Sequence, residues 1–281
     1  MIKKLLLVLV PLVSISFSFS QEKEKIKGSK IVIIKETPIN GFNRIVVSEQ
    51  FEIALKEGEA PSVQIEADDN LHDVINITVV DSTLYFETMR RITSKKELKI
   101  EVTYTNALKH IETKENGEVS SLTSINSDEM TLVHSGSSKA FLNIKSPKFK
   151  LINSEKAKLK LNVTAKLASL ELNDNSKLEA LINTDAMQVD LYQRASANIE
   201  GDLIDLNVRA DNSSTFTGKN LTATTGAVQA DLNANVYIQA TDKLTIEALG
   251  SSEVYIYAEP EIELLKFTDT AKLHKKELKS Q

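Results

Sequence analysis

Through the second half of this chain, roughly every nineteenth residue is serine or alanine. Ser138, Ala157, Ser176, Ala195, Ser214, Ala234, Ser252 and Ala271 follow one another at spacings of 19, 19, 19, 19, 20, 18 and 19. A period held this long means that each stretch is one unit stacked on the last. Two positions further on, Ala140, Leu159, Leu178, Ala197, Phe216, Val236, Val254 and Leu273 form a row with no polar member. A second apolar row lies six positions before each small residue, from Leu132, Leu151 and Leu170 through Val189, Val208 and Val228 to Ile246 and Leu265. Polar residues fill the places between, as in Leu159-Lys160-Leu161-Asn162-Val163. Alternation by two marks strands with one buried face. Amphipathic helices would space their apolar residues by three and four, and a propeller blade needs about 40 residues. Left-handed hexapeptide coils would show a six-residue sub-period, which this sequence lacks. The pattern predicts an all-β fold, a right-handed single-stranded parallel β-helix with coils of about 19 residues. Equivalent positions then stack about 4.8 Å apart, and the Ser/Ala row marks a corner too tight for larger side chains.

The segment Gly41 to Tyr104 lies outside the clean repeat but holds strand-like runs at Ile45 to Val47, Phe51 to Leu55, Val63 to Ala67, Ile75 to Val80, Leu84 to Glu87 and Leu98 to Tyr104. It reads as the opening of the same solenoid, giving one domain over residues 41–275. Residues 21–40 read as a charged linker, Glu22 to Lys30, and a first strand at Ile31 to Ile34. Residues 276–281 read as a charged tail, and the charged end that begins at Lys275 is expected to shield the last open edge. Residues 1–20 have the form of a cleaved secretory signal: Lys3 and Lys4, an apolar stretch from Leu5 to Ile15, then Ser18-Phe19-Ser20. That stretch is shorter than the roughly 20 residues a membrane-spanning helix needs, and no later segment approaches that length. Cysteine is absent, which excludes lipid attachment at a cysteine and leaves stability to packing and ladder hydrogen bonds. Without Lys3 and Lys4 the exported chain has 32 basic and 39 acidic residues, net −7, which speaks against a nucleic-acid partner.

Gly41-Phe42-Asn43-Arg44-Ile45-Val46-Val47-Ser48, then Phe51-Glu52-Ile53-Ala54-Leu55 and Gly58, resemble the opening of the head GIN domain family of auto-transporter adhesins. Val63 to Leu71, Leu84-Tyr85-Phe86 and the corner Ser135-Gly136-Ser137-Ser138 continue the likeness, which covers about Gly41 to Lys275. The resemblance implies a right-handed β-helix in the envelope of a diderm bacterium, in a domain whose function is unassigned. This chain departs from the family at its turns, with Ser48-Glu49-Gln50 for a glycine-rich turn and Glu155-Lys156 or Gln193-Arg194 for Ser-Gly corners.

Stacking brings distant residues into columns, and two columns are candidates for ligand binding. Lys139, Lys158 and Lys177 recur on three successive coils, a basic column open to an anionic glycan, although lysine on a strand surface also deters lateral aggregation. Tyr237, Tyr255 and Tyr257 cluster on outward positions of late coils, where rings can stack on sugars or simply serve as good strand formers. Asp211 and Asp231 share a column three residues before the corner, and paired carboxylates can divide acid and base work. Aspartate in a turn more often bonds its own backbone. His72, His110, His134 and His274 are scattered, so neither a metal nor a cofactor is expected. The function these features favour is a non-catalytic, adhesin-like module of the periplasm or cell surface that binds a glycan or an envelope protein. A scaffold assembled by stacking β-helices and a polysaccharide-acting enzyme are the alternatives. The charged C-terminal edge speaks against stacking, and the missing acidic cleft speaks against catalysis.

Overall fold

The computed structural model describes residues 23–277, so the signal-like segment 1–20 and the end of the charged tail lie outside the described residues. The chain is all-β, wound into a parallel β-solenoid of about nine turns with coils of about 19 residues. Each coil gives one strand to each of two sheets. Sheet A stacks Arg44–Val47, His110–Thr113, Glu129–His134, Lys148–Asn153 and Leu167–Leu172 in parallel. Sheet B stacks Glu52–Glu57, Glu118–Ser121, Lys139–Lys145 and Lys158–Thr164 in the same way. Between Lys177 and Ala248 the two strands of a coil fuse, as in Lys177–Leu191 and Ser196–Ala210, each of which runs through sheet B and then sheet A. An earlier junction is broken at Ser146-Pro147, where proline has no amide to give to a ladder.

The register follows the sequence period. Leu132, Leu151, Leu170, Val189, Val208 and Val228 pair in order up sheet A and are at most 3% exposed. Each such side chain contributes about 1.5–3 kcal/mol of burial, set against the entropy of ordering it. The small row, from Ser138 to Ser252, is fully buried at the corner between the sheets. Two residues before each member stands a residue with left-handed backbone. Gly136, Glu155, Asp174, Gln193, Asn212, Leu232, Gly250 and Asp269 have φ between +55° and +70°. The amide after each of these donates to the left-handed carbonyl one coil earlier: Lys156 to Gly136, Asn175 to Glu155 and Arg194 to Asp174, each at 2.8 Å. The corner is therefore itself a hydrogen-bonded ladder. A Cβ on Gly136 would meet the Glu115 backbone at 2.5 Å, so the coils approach closely there. Gly201, with φ +124°, makes a bulge in which a Cβ would lie 2.2 Å from the Ile182 carbonyl oxygen.

The two ends differ. Arg44–Val47 and Glu52–Glu57 open the solenoid, but much of the segment up to Tyr104 folds back on them. Thr83–Thr88 and Leu98–Tyr104 extend the sheets in parallel, and Ile75–Val80, Ser62–Asp68 and Val32–Pro38 then add antiparallel strands. A short 3-10 turn, Asp69–Val74, adds Leu71 and Val74 to the core. Part of the expected charged linker is also strand, since Lys25–Lys27 pairs with Arg91–Ser94. Asp68, fully buried, accepts the amides of Lys30 at 3.0 Å and of Lys96 and Glu97 at 3.2 Å. Its desolvation opposes ionisation, and the three amides outweigh it and hold the carboxyl below its ordinary range.

At the C-terminal end Ile262, Leu264 and Phe267 continue the buried columns of Leu244, Ile246 and Ala248, yet are 45–48% exposed because no coil follows among the described residues. Leu265, expected in the inward row, is displaced by a bulge that gives its place to Leu264. The charged residues up to Glu277 leave this apolar end uncovered.

Left-handed backbone costs a non-glycine residue roughly 1–2 kcal/mol, and Leu232 takes that conformation with its side chain half exposed. Leu232→Gly should therefore raise the urea midpoint by the equivalent of about 1 kcal/mol, while Gly136→Ala, at the close approach, should lower it by at least as much.

Candidate functional site

The outer face of sheet B carries both columns singled out in the sequence. Lys139, Lys158 and Lys177 stand in register on three adjacent coils, all exposed. Lys139 is paired with Glu118 one coil earlier at 3.2 Å, and at the far end of the same column Lys272 is paired with Glu253 at 2.9 Å. Neutral Ser196, Thr215 and Asn235 occupy the middle of the column. Lys158 and Lys177 have no ion pair among the described residues. Ammonium groups held about 4.8 Å apart would repel by on the order of 1 kcal/mol in water. Ion pairs thus neutralise Lys139 and Lys272, while Lys158 and Lys177 carry their charge unpaired among the described residues.

Two residues further along each strand runs the column Phe141, Lys160, Glu179, Asn198, Thr217, Tyr237, Tyr255, His274. Tyr237 and Tyr255 stack at 4.3 Å and 5° between planes, and His274 continues the stack at 4.6 Å and 11°. Both faces of Tyr255 are thus covered. The Tyr255 hydroxyl donates to Glu253, which Lys272 also holds. That bond raises the phenol to about 12, while the same bond and Lys272 draw Glu253 down to about 2. Tyr257 sits one outward column over, opposite Gln239, beside the stack and outside it. The lysines and tyrosines therefore share one face but not one cluster, since Lys177 and Asn235 are three coils apart in their column.

Between these outward columns a shallow groove of about 610 Å³ is lined by Ser120, Phe141, Asn143, Asn162, Asn198 and Glu200, among others. Phe141 is 40% exposed at its rim. Phe141 and Asn143 were not singled out from the sequence, although stepping outward from Lys139 by two and four reaches both. Sheet A bears a second trough of about 720 Å³, walled by Lys148, Lys150, Leu167, Ser169 and Asn207 with others.

Asp211 and Asp231 do lie on neighbouring coils, but each carboxylate accepts the backbone amide of the next residue, Asn212 and Leu232, at 2.6 Å. They act in the turns. Among the described residues no three His, Asp or Glu side chains gather as a metal would require. His134 instead points inward and is fully buried, its Nδ1 bonded to Thr113, whose hydroxyl donates to Ser138 at 2.9 Å. Its Nε2 and the Oδ1 of Asn153, the next residue of that inward column, have no protein partner. The period placed both residues inward, four positions before the small row, a signal the sequence reading did not use.

The fold and this face define a class, a β-solenoid whose accessible chemistry is spread over flat outer sheets. The chain belongs to the family described as "Putative auto-transporter adhesin, head GIN domain", whose model matches residues 41–181 and 153–260. No curated protein matches it in sequence. Among solved structures it is similar to a putative adhesin from Parabacteroides distasonis (15% identity, 91% of this chain and 100% of that one, TM-score 0.68). It is also similar to a putative lipid binding protein from the same species (16%, 90% and 99%, 0.61). A putative adhesin from Parabacteroides merdae matches as well (15%, 90% and 99%, 0.54). At such identities these neighbours speak to the fold alone. No helix of the described residues is long and apolar enough to cross a membrane.

Burial, with a further push from His110, lowers His134 from an ordinary 6.5 to about 3. The folded state then holds it neutral while the unfolded chain protonates it near 6.5, so stability is complete above that pH and declines as the pH falls toward 3. Each unit costs up to about 1.4 kcal/mol. Between pH 6.5 and 4.5, above most carboxylate titrations, the urea midpoint should fall by the equivalent of on the order of 2 to 3 kcal/mol. His134→Gln should flatten that slope, and an unchanged slope in the variant would show that other groups carry it.

Proposed function

We propose that this protein is an exported, non-catalytic binding module of the bacterial envelope, adhesin-like in action, which presents sheet B to a glycan or protein at the periplasmic or outer cell surface. The observation that carries the reading is the outer face itself. Successive coils lay amides, hydroxyls, lysines and an exposed Phe141 side by side over a shallow groove, suited to an extended ligand and unlike the enclosed cleft in which catalytic groups converge. The family description, an adhesin, supports the same reading, and the signal-like residues 1–20 support export. Tyr257, His274 and the outer edges of the tyrosine stack offer further contacts on that face.

One observation favours the scaffold reading as a second possibility. The C-terminal end exposes Ile262, Leu264 and Phe267 together with an edge of Glu261–Phe267 that is unpaired among the described residues, and such an edge readily accepts another chain. Solution mass distinguishes the two readings, because a scaffold grows with concentration and a binding module does not.

The test is a glycan array and an envelope-fraction binding assay with the mature chain, combined with an assay for reducing ends. Saturable binding to at least one component without release of reducing ends is expected. Turnover that disappears in Asp211→Asn would establish an enzyme instead, and a folded protein blank in both binding assays would contradict the reading.

A further inference from the structure

The basic column belongs to something larger. Residues 139–177, about two coils, contain nine lysines against three acidic residues, net +6, while the rest of the chain has 25 basic and 36 acidic residues, net −11. All nine lysines are exposed. They wrap the solenoid. Lys139, Lys158 and Lys177 run up sheet B, Lys148 and Lys150 stand on sheet A, and Lys156 and Lys166 sit at the corners. Packing does not ask for this, since outward positions on other coils take serine, threonine, asparagine or ion pairs at no loss to the core. A fold that concentrates like charge against its own overall sign, where nothing structural needs it, points to a ligand of the opposite sign.

We infer that this belt is the binding site for a linear anionic polysaccharide laid along the solenoid axis on sheet B, with its carboxylates or sulfates on Lys158 and Lys177. The inference rests on the binding-module reading and names its ligand class. Geometry selects a polymer in line with the axis. Lys158 and Lys177 stand in register on adjacent coils, about 4.8 Å apart along the axis, a distance close to the rise of an extended sugar chain. Beside them, Asn162 on the strand of Lys158, Asn143 on the coil before it and Asn198 on the coil after Lys177 offer donors and acceptors to hydroxyl groups, and the exposed ring of Phe141 offers a surface for a sugar's C–H face. An anionic membrane fits less well, because lysines on both sheets and both corners cannot meet one flat surface together. Lysine's single mobile charge suits carboxylate and sulfate groups at varied angles better than a fixed bidentate fork would.

The test measures binding of the mature chain to polygalacturonate, a sulfated galactan, neutral dextran and phosphatidylglycerol vesicles, each over a range of salt. The wild type should bind one or both anionic polymers at least tenfold more tightly than dextran or vesicles, with affinity falling as salt rises. Lys158→Glu combined with Lys177→Glu should weaken that binding at least tenfold and reduce the salt dependence. Lys219→Glu combined with Lys266→Glu makes the same charge change outside the belt and should act within twofold of wild type. Circular dichroism melts check that both double variants are folded, as expected for exposed positions. Equal losses in the two double variants would show a net-charge effect and overturn the inference, as would tighter binding to vesicles than to either polymer. Binding to neutral glycans alone would overturn it while leaving the binding-module reading intact, and binding to no saccharide or envelope component would remove both.

Discussion

Every coil of this solenoid exposes backbone donors and acceptors on both its edges, and nearly all must be met by the coil above and the coil below. That requirement reaches the corner as well as the sheets. There the left-handed residue and the amide after it keep the ladder unbroken from Glu49 to Thr270. Once the corner is fixed, the residue two places on must be small, the next pair of inward positions must be apolar, and the residues between must face water. The repeat is the sequence trace of one hydrogen-bonding constraint applied coil after coil.

The same constraint explains why the ends are unlike. A stack without edges is impossible in an open solenoid, so something must meet the first and last coils. At the N-terminal end, reversing the chain turns strands that would otherwise start another coil into an antiparallel cap, and Asp68 ties two further segments of that cap to its own strand through three amides. At the C-terminal end the apolar columns run out into solvent. The interior is also uneven. Early coils admit Thr113, His134 and Asn153 into an otherwise apolar column, where their hydroxyl, imidazole and amide bond one another only in part.

The solenoid was legible because its signal is periodic. Leu170 and Val208 could be placed in one inward column from spacing alone, and the lysine column followed by counting. The cap was less legible, since alternation by two reads the same in parallel and antiparallel strands, so Ile75 to Val80 looked like coil when it is hairpin. Bulges at Gly201 and before Leu265 break the period locally, and only backbone geometry shows where the extra residue goes. For the candidate site, sequence placed Tyr237, Tyr255 and Tyr257 on outward columns of the late coils but could not show that the ring faces of Tyr237 and Tyr255 cover each other. The lysine belt was visible only in part, because a column follows one position while charge accumulates over all of them.

The central claim is that residues separated by 19 stack and that neighbours in sequence face opposite sides. It is tested most directly by comparing denaturant midpoints of Leu170→Asp and Glu171→Lys. Leu170 is fully buried between Leu151 and Val189, so a carboxylate there must be desolvated or protonated at a cost of several kcal/mol, a large part of a domain's roughly 5–15 kcal/mol. Glu171 faces outward, and its replacement should shift stability by no more than about 0.5 kcal/mol. A large loss for the first variant and little change for the second is the predicted result; similar behaviour of the two would contradict the register on which every column described above depends.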